Sequence, residues 1–166
     1  DGRATIGGVV ATGLGGPQQF GYGRPRNSVI GMKVVLADGR LIKAGGRVVK
    51  KVAGYDLCKL FTGSFGSLGI ITEVNFKLRP RPASEATVTA PGTLEDLRTI
   101  IKARLFPVAA EIINDMLMVR FAGNQKGVAY QIEQARALLK NADVVMNDTD
   151  VWKTIAANWD KPAQQP

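Results

Sequence analysis

The sequence predicts an α+β protein: an antiparallel or mixed sheet with short helices in its first half, then a ferredoxin-like α+β layer. Three observations carry that expectation. Two β-branched apolar runs flank an Asp-Gly pair at 38–39, which is a strong hairpin signal. The second half alternates short apolar runs with segments of helical periodicity. Between them, Leu78-Arg79-Pro80-Arg81-Pro82 is stiff and extended, because each proline removes a donor and biases its predecessor away from helix. The expected domains are therefore 1–82 and 83–166.

Val34 to Ile42 reads as a hairpin whose two turn residues tolerate positive φ. Tyr55 to Phe61 reads as a short helix, capped by Asp56 and ended by Gly63. Ile70 to Leu78 alternates, with Ile70, Thr72, Val74, Phe76 and Leu78 expected inward and Glu73, Asn75 and Lys77 outward. In the second half, Thr93 is placed to cap a helix over 94–105 with Leu94, Leu97, Ile101 and Leu105 on one face. Met116–Phe121 is a strand. Asn124 opens a helix to Leu139 with a stripe of Ile132, Ala135 and Leu139. Val144–Met146 is a short strand, and Asp150 caps a last helix burying Trp152, Ile155 and Trp159. The tail from Lys161 to Pro166 is expected to be loose.

Composition narrows the function. The chain has 166 residues, 45% of them hydrophobic and 22% charged, which suits a folded chain rather than a disordered one. No apolar run reaches the ~18 residues of a spanning helix. The lone Cys58 cannot form an intramolecular disulfide, and the absence of histidine excludes Ser-His-Asp and Cys-His catalysis and a Cys/His zinc cluster within this chain. Charge is uneven. Residues 1–82 hold 13 Lys/Arg against 4 Asp/Glu, and residues 83–166 hold 9 against 10. Of 19 glycines, 16 precede residue 82. The basic half could face an acidic partner, but aromatics make up only 7% and do not interleave with the basic residues, so a nucleic-acid stacking platform is missing. Asp1 is no initiator Met and a motif starts almost at once, so the chain is expected to be cut from something longer, with no signal peptide.

Two glycine-rich segments are the candidate sites. In Thr5-Ile6-Gly7-Gly8-Val9-Val10-Ala11-Thr12-Gly13-Leu14-Gly15-Gly16, glycines let backbone N–H groups approach an anion closely, and Thr5 and Thr12 add hydroxyls. The alternative is a turning loop with no ligand. Gly63-Ser64-Phe65-Gly66-Ser67-Leu68-Gly69-Ile70-Ile71 spaces glycine every third residue before a strand, suiting either a loop over a flat or charged group or a compact turn. No GxxxxGK[ST] occurs, and Gly21-Tyr22-Gly23-Arg24-Pro25-Arg26 lacks the third glycine and helix start of a Rossmann fingerprint. Between the segments, Arg47, Lys50 and Lys51 suit a pyrophosphate or a partner's acidic face, although such charges more often form a solvated surface.

In order along the chain, Thr5-Ile6-Gly7-Gly8, Tyr22-Gly23…Arg26…Val29-Ile30-Gly31, Val35-Leu36-Ala37-Asp38-Gly39, Gly46-Arg47-Val48-Val49-Lys50…Val52-Ala53-Gly54-Tyr55-Asp56-Leu57 and Gly63-Ser64…Gly66…Leu68-Gly69-Ile70-Ile71-Thr72-Glu73-Val74 resemble the p-cresol methylhydroxylase / vanillyl-alcohol oxidase type of FAD-binding domain. Within it the likeness is to FAD-binding subunits of bacterial glycolate oxidase. Departures are Asn27 where Asp is frequent, Lys51 where Asn is usual and Ser67 where Thr is usual. The resemblance implies FAD as cofactor. It implies binding largely through backbone groups at Thr5, Gly7, Gly8, Ala11, Thr12, Gly15, Gly16, Gly66, Gly69, Ile70 and Ile71, with Ile71 toward adenine.

It also implies that 1–82 is the second FAD subdomain and that the first, with its own glycine loop, is absent. A cradle losing half its hydrogen bonds loses roughly a thousandfold in affinity, so this chain is expected to hold FAD weakly. The activity implied is oxidation of a 2-hydroxy acid such as glycolate. The partners implied are a second FAD subunit and an iron–sulfur subunit, in the cytoplasm and reaching the inner membrane face through those partners. A non-catalytic docking subunit with a retained flavin fold is the alternative. No residue is assigned as catalytic base, and no metal site is expected.

Overall fold

A computed structural model describes residues 4–46 and 56–159. The basic run from Arg47 to Tyr55, the side chain of Trp159 and the tail after it lie outside the described residues. The chain divides into two units. Unit 1 is Asp1–Gly15 with Gly23–Arg79, and unit 2 is Gly16–Tyr22 with Pro80–Pro166.

In unit 1, helix α1 (Ile6–Thr12) is followed, after a 3-10 turn at Pro25–Asn27, by strands β1 (Val29–Val35) and β2 (Leu41–Gly45). Helix α3 (Leu57–Phe61) and strand β3 (Ile70–Phe76) follow; α2 (Gln19–Tyr22) belongs to unit 2. The three strands run antiparallel in the order β2-β1-β3. Val10, Val29, Met32, Val34, Ala44, Cys58 and Phe61 form the core under α1 and α3. Asp56 caps α3 as expected, its carboxylate accepting from Lys59 N–H at 3.2 Å.

The hairpin at 38–39 forms, with Val35 opposite Leu41 and Val34 opposite Ile42, but not around a two-residue turn. Leu36 N–H donates to Arg40 O and Gly39 N–H to Leu36 O, closing a three-residue loop in which Gly39 has φ +82° and Asp38 stays at negative φ. Asp38 instead accepts from the Arg40 backbone and guanidinium, which holds its carboxyl below the usual range. Such a loop needs one left-handed residue where the two-residue turn needs two.

The expected phase of β3 fails at its start. Val74 and Phe76 face the core, but so does Ile71, while Ile70 is 69% exposed and Thr72 is also exposed. The register explains it: Lys33 pairs Glu73 and the next residue, Val34, pairs Ile71, so a bulge at Thr72 reverses the alternation. Leu78, beyond the strand, is exposed.

Unit 2 carries β4 (Ser84–Pro91), α4 (Leu94–Lys102), β5 (Ala109–Ile113), β6 (Met116–Gly123), α5 (Gln125–Leu138), β7 (Asp143–Met146) and α6 (Thr149–Trp159). All pairings are antiparallel in the order β5-β6-β4-β7, a β-α-β-β-α-β ferredoxin-like circuit. Ala86, Val88 and Ala90 of β4, with Leu117, Val119 and Phe121 of β6, meet Leu97, Ile100, Val128 and Ala135 of the helices. Asn124 caps α5, accepting from Gly127 N–H at 2.7 Å. Thr93 opens α4 by donating its N–H and hydroxyl to Asp96.

Two helix details differ from expectation. Ile100, not Ile101, is buried in α4, and Leu94 is exposed, because the face packed on the core carries Leu97 and Ile100; the helix stops at Lys102, and Leu105 enters the core after Arg104 turns left-handed at φ +58°. Helix α6 starts at Thr149, so Asp150 sits inside the first turn paired with Lys153 rather than capping it. Trp152 is buried and Ile155 half-buried. Segment 16–22 joins this unit through Gly21, whose N–H donates to Val108 O. A Cβ there would lie 2.5 Å from Val108 Cα, so only glycine permits this approach.

Candidate functional site

The first glycine segment is a helix rather than an open loop. Thr5 caps it, its hydroxyl accepting from Gly8 N–H at 3.0 Å, and Gly13 ends it at φ +66°. Helix formation takes up groups that the sequence leaves open. The Thr12 hydroxyl donates to Val9 O, and Gly13 N–H bonds back to Val9 and Val10. What glycine supplies here is closeness: a Cβ on Gly7 would stand 2.9 Å from Ile71 O, so α1 lies directly on the start of β3.

The second segment folds back on that helix. Gly63 N–H donates to Val10 O at 3.1 Å and Phe65 N–H to Ala11 O at 2.8 Å. Phe65 takes φ +54°, Gly66 +77° and Gly69 +155°, so the loop turns three times within five residues. Unit 1 thus brings together Thr5, Gly7, Gly8, Ala11 and Thr12 of the first segment with Gly66, Gly69, Ile70 and Ile71 of the second. Gly15 closes the first stretch of unit 1, while Gly16 belongs to unit 2.

Several groups on these segments remain open. Among the described residues, the N–H groups of Leu14 and Gly15 after α1, and of Gly66 and Leu68 in the loop, have no partner. The Ser64 hydroxyl oxygen is buried and likewise unpartnered, a condition that costs about 1–3 kcal/mol unless another group meets it. Ile6, Val9, Phe65, Leu68 and Ile70 are exposed beside them. Unpaired backbone donors with apolar side chains form a surface matched to a ligand that joins phosphate to flat rings. The residues present therefore fit a flavin dinucleotide. Ser64, Phe65 and Leu14 were missed from sequence, since nothing in a single chain marks which donors its neighbours leave unused.

The comparisons agree. A family model described as "FAD binding domain" matches residues 1–45. Over most of its length the chain is similar in sequence to glycolate oxidase subunits. It is 33% identical to the glycolate oxidase subunit GlcD of Bacillus subtilis, over 88% of this chain and 36% of that protein. It is 34% identical to the glycolate oxidase subunit GlcE of Escherichia coli, over 86% and 41%. A D-lactate dehydrogenase of Archaeoglobus fulgidus is 37% identical over 66% and 26%. The chain thus spans between about a quarter and about two fifths of the length of these relatives. Among solved structures, alkyldihydroxyacetonephosphate synthase superposes with TM-score 0.69 at 18% identity, over 90% of this chain and 36% of that one. At that identity the likeness is one of fold.

Unit 2 contains a second polar constellation, absent from the sequence reading. Arg120 of β6, 3% exposed, donates through Nε and Nη2 to Asp148 and through Nη2 to Glu85 at 3.0 Å. Thr87 donates to the other Asp148 oxygen and accepts from Trp152 Nε1 at 2.7 Å. The Trp152 ring centroid lies 5.9 Å from the guanidinium carbon. All these groups sit on the sheet face opposite α4 and α5. Also in this unit, a cavity of about 690 Å³ lies between α5 and the sheet, lined by Val128, Ile132, Val144 and Met146, with none of the predicted site residues. Among the described residues no helix is long and apolar enough to cross a membrane.

Proposed function

We propose that the chain is the second half of an FAD-binding domain (1–82) joined to part of a substrate-side domain (83–166), in an oxidoreductase acting on a 2-hydroxy acid such as glycolate. The observation that carries this reading is the meeting of the two glycine segments in unit 1, with open N–H groups at Leu14, Gly15, Gly66 and Leu68 and the orphan Ser64 hydroxyl. Bound FAD supplies the two-electron oxidation chemistry, and the protein supplies position and electrostatics. The open N–H groups donate to pyrophosphate and ribityl oxygens. The Ser64 hydroxyl satisfies its own buried oxygen by bonding the cofactor, and the exposed apolar side chains exclude water from its rings. Thr5, Gly7, Gly8, Ala11 and Thr12 hold α1 against β3, and Gly69, Ile70 and Ile71 complete the binding set of unit 1.

The glycolate oxidase relatives GlcD and GlcE support a place as one subunit of a multi-subunit oxidase, and the family resemblance adds a second FAD subunit and an iron–sulfur subunit as its partners. The location is cytoplasmic, at the inner membrane face through those partners. The test is titration of FAD into the 166-residue chain, read by backbone amide NMR. Weak binding is expected, with shifts at Leu14, Gly15, Gly66 and Leu68. No shift at those amides at millimolar FAD, or shifts confined to unit 2, would overturn the assignment. For the activity, dye reduction dependent on glycolate or D-lactate by the parent protein supports the enzyme. A colourless, inactive but complex-forming parent supports the docking subunit instead.

A further inference from the structure

We propose that the cleft beside the start of α6 in unit 2 is a binding site for a small monocarboxylate, with Arg120 as its buried cation. The cleft has a volume of about 310 Å³ and lies between Gly16–Gln18 and the side chains of Arg120, Thr149, Trp152 and Lys153. That is room for an acid of a few carbons, at the lower end of ligand sites. It goes beyond the flavin reading and stands on unit 2 alone.

The argument begins with the guanidinium. Its Nε and Nη2 are spent on Asp148 and Glu85, but among the described residues Nη1 has no partner. The side chain is nine-tenths buried, and the residue lines the cleft. An arginine presents five donors in a fixed fork, so holding one edge with internal carboxylates aims the remaining nitrogen in one direction. Three further groups favour negative charge there. The free N–H groups and positive end of the α6 dipole open at Thr149, the Lys153 ammonium borders the cleft while paired with Asp150 at 3.0 Å, and Gln18 is among the lining residues.

Charge sets the ligand class. Asp148, immediately before α6, is fully buried and commits one oxygen to Arg120 and the other to Thr87. Glu85 commits Oε2 to Arg120 and to Thr149. These two carboxylates balance Arg120 and the helix end, and Asp150 offsets Lys153, so a second negative charge on the ligand meets repulsion that a single one, bonded to the open guanidinium nitrogen, largely escapes. A monocarboxylate fits and a phosphate dianion does not. The Trp152 indole, its ring centroid 5.9 Å from the guanidinium carbon, lines the cleft and gives the carbon chain of such an acid an apolar neighbour.

The test uses the whole chain without FAD, at fixed ionic strength, following the Trp152 indole N–H and the Thr149 amide by NMR. Sodium glycolate and acetate are expected to give saturable shifts at millimolar concentration, glycolamide, the uncharged isostere, gives none, and phosphate binds at least tenfold more weakly. Arg120 itself is unsuitable for substitution, since its loss leaves Asp148 buried and unpaired. Two exposed positions serve instead. Ala156→Trp, which fills the cleft, abolishes the shifts, and Lys153→Ala weakens binding about two- to fivefold, as expected for a partly screened charge. Native amide dispersion in the β4–β6 ladder confirms that each variant is folded. Absence of saturable shifts with either acid, equal binding of glycolamide, or unchanged binding in folded Ala156→Trp overturns the proposal.

Discussion

Replacing Gly7 by alanine tests the contact on which the candidate site is built. Two effects oppose each other. Alanine gains up to about 1 kcal/mol over glycine in a helix. Against this, the new Cβ would sit 2.9 Å from the carbonyl oxygen of Ile71. That neighbour is backbone inside a strand paired to β1 and cannot rotate away. Overpacking of this kind costs about 1–3 kcal/mol. Gly8 provides the internal control, because its added Cβ would meet only the Thr5 hydroxyl at 3.2 Å, while it gains the same propensity. The close approach therefore appears as the difference between the two variants, about 1–3 kcal/mol in favour of Gly8→Ala. Both tryptophans, Trp152 and Trp159, lie in unit 2, so fluorescence does not report on this helix. Amide hydrogen exchange at Met32 and Val34 in β1 does. Protection in Gly7→Ala should be about five- to a hundredfold lower than in Gly8→Ala, since 1.4 kcal/mol is tenfold. Equal or greater protection in Gly7→Ala would show that α1 does not rest on β3 as described, and the cradle would lose its geometry.

Two further predictions concern unit 2. Arg120→Met should destabilise it by about 3–5 kcal/mol in urea melts followed by tryptophan fluorescence, because Asp148 is left charged and buried. Adding Asp148→Asn should restore a good part of that loss, and a double variant no more stable than the single one would contradict the charge argument. Asp96 accepts from the Thr93 N–H and hydroxyl, which lowers its carboxyl below the usual 3.8. A depressed folded-state value means that its stabilising contribution is present above 3.8 and is lost as pH falls through the lowered value. Asp96→Asn should therefore lower the melting temperature at neutral pH, with the gap closing in acid. A gap that persists unchanged at the acid end would refute the assigned cause.

Local chemistry in the sequence determined the elements whose signals are short-range. Asp56 and Asn124 had capping geometry written into their spacing, the Asp-Gly pair fixed a reversal, and the stripe of Ile132, Ala135 and Leu139 placed α5 against a core. FAD came from the likeness of the ordered motifs to an FAD-binding family; the glycines alone left a ligand-free loop open, and at Gly7 the close approach is to Ile71. Tertiary structure decided what local periodicity has no access to. The bulge at Thr72 reversed the inward set of β3 because register depends on the partner strand. Segment 6–12 became a helix despite its glycines, since α1 gains burial of Val10 and a close seat on Ile71 that outweigh its weak propensity. Arg120, Asp148, Glu85 and Trp152 are spread over 68 positions of sequence (85–152), and only the folding of β4, β6 and α6 onto one sheet face turned four unremarkable residues into a single charged cluster.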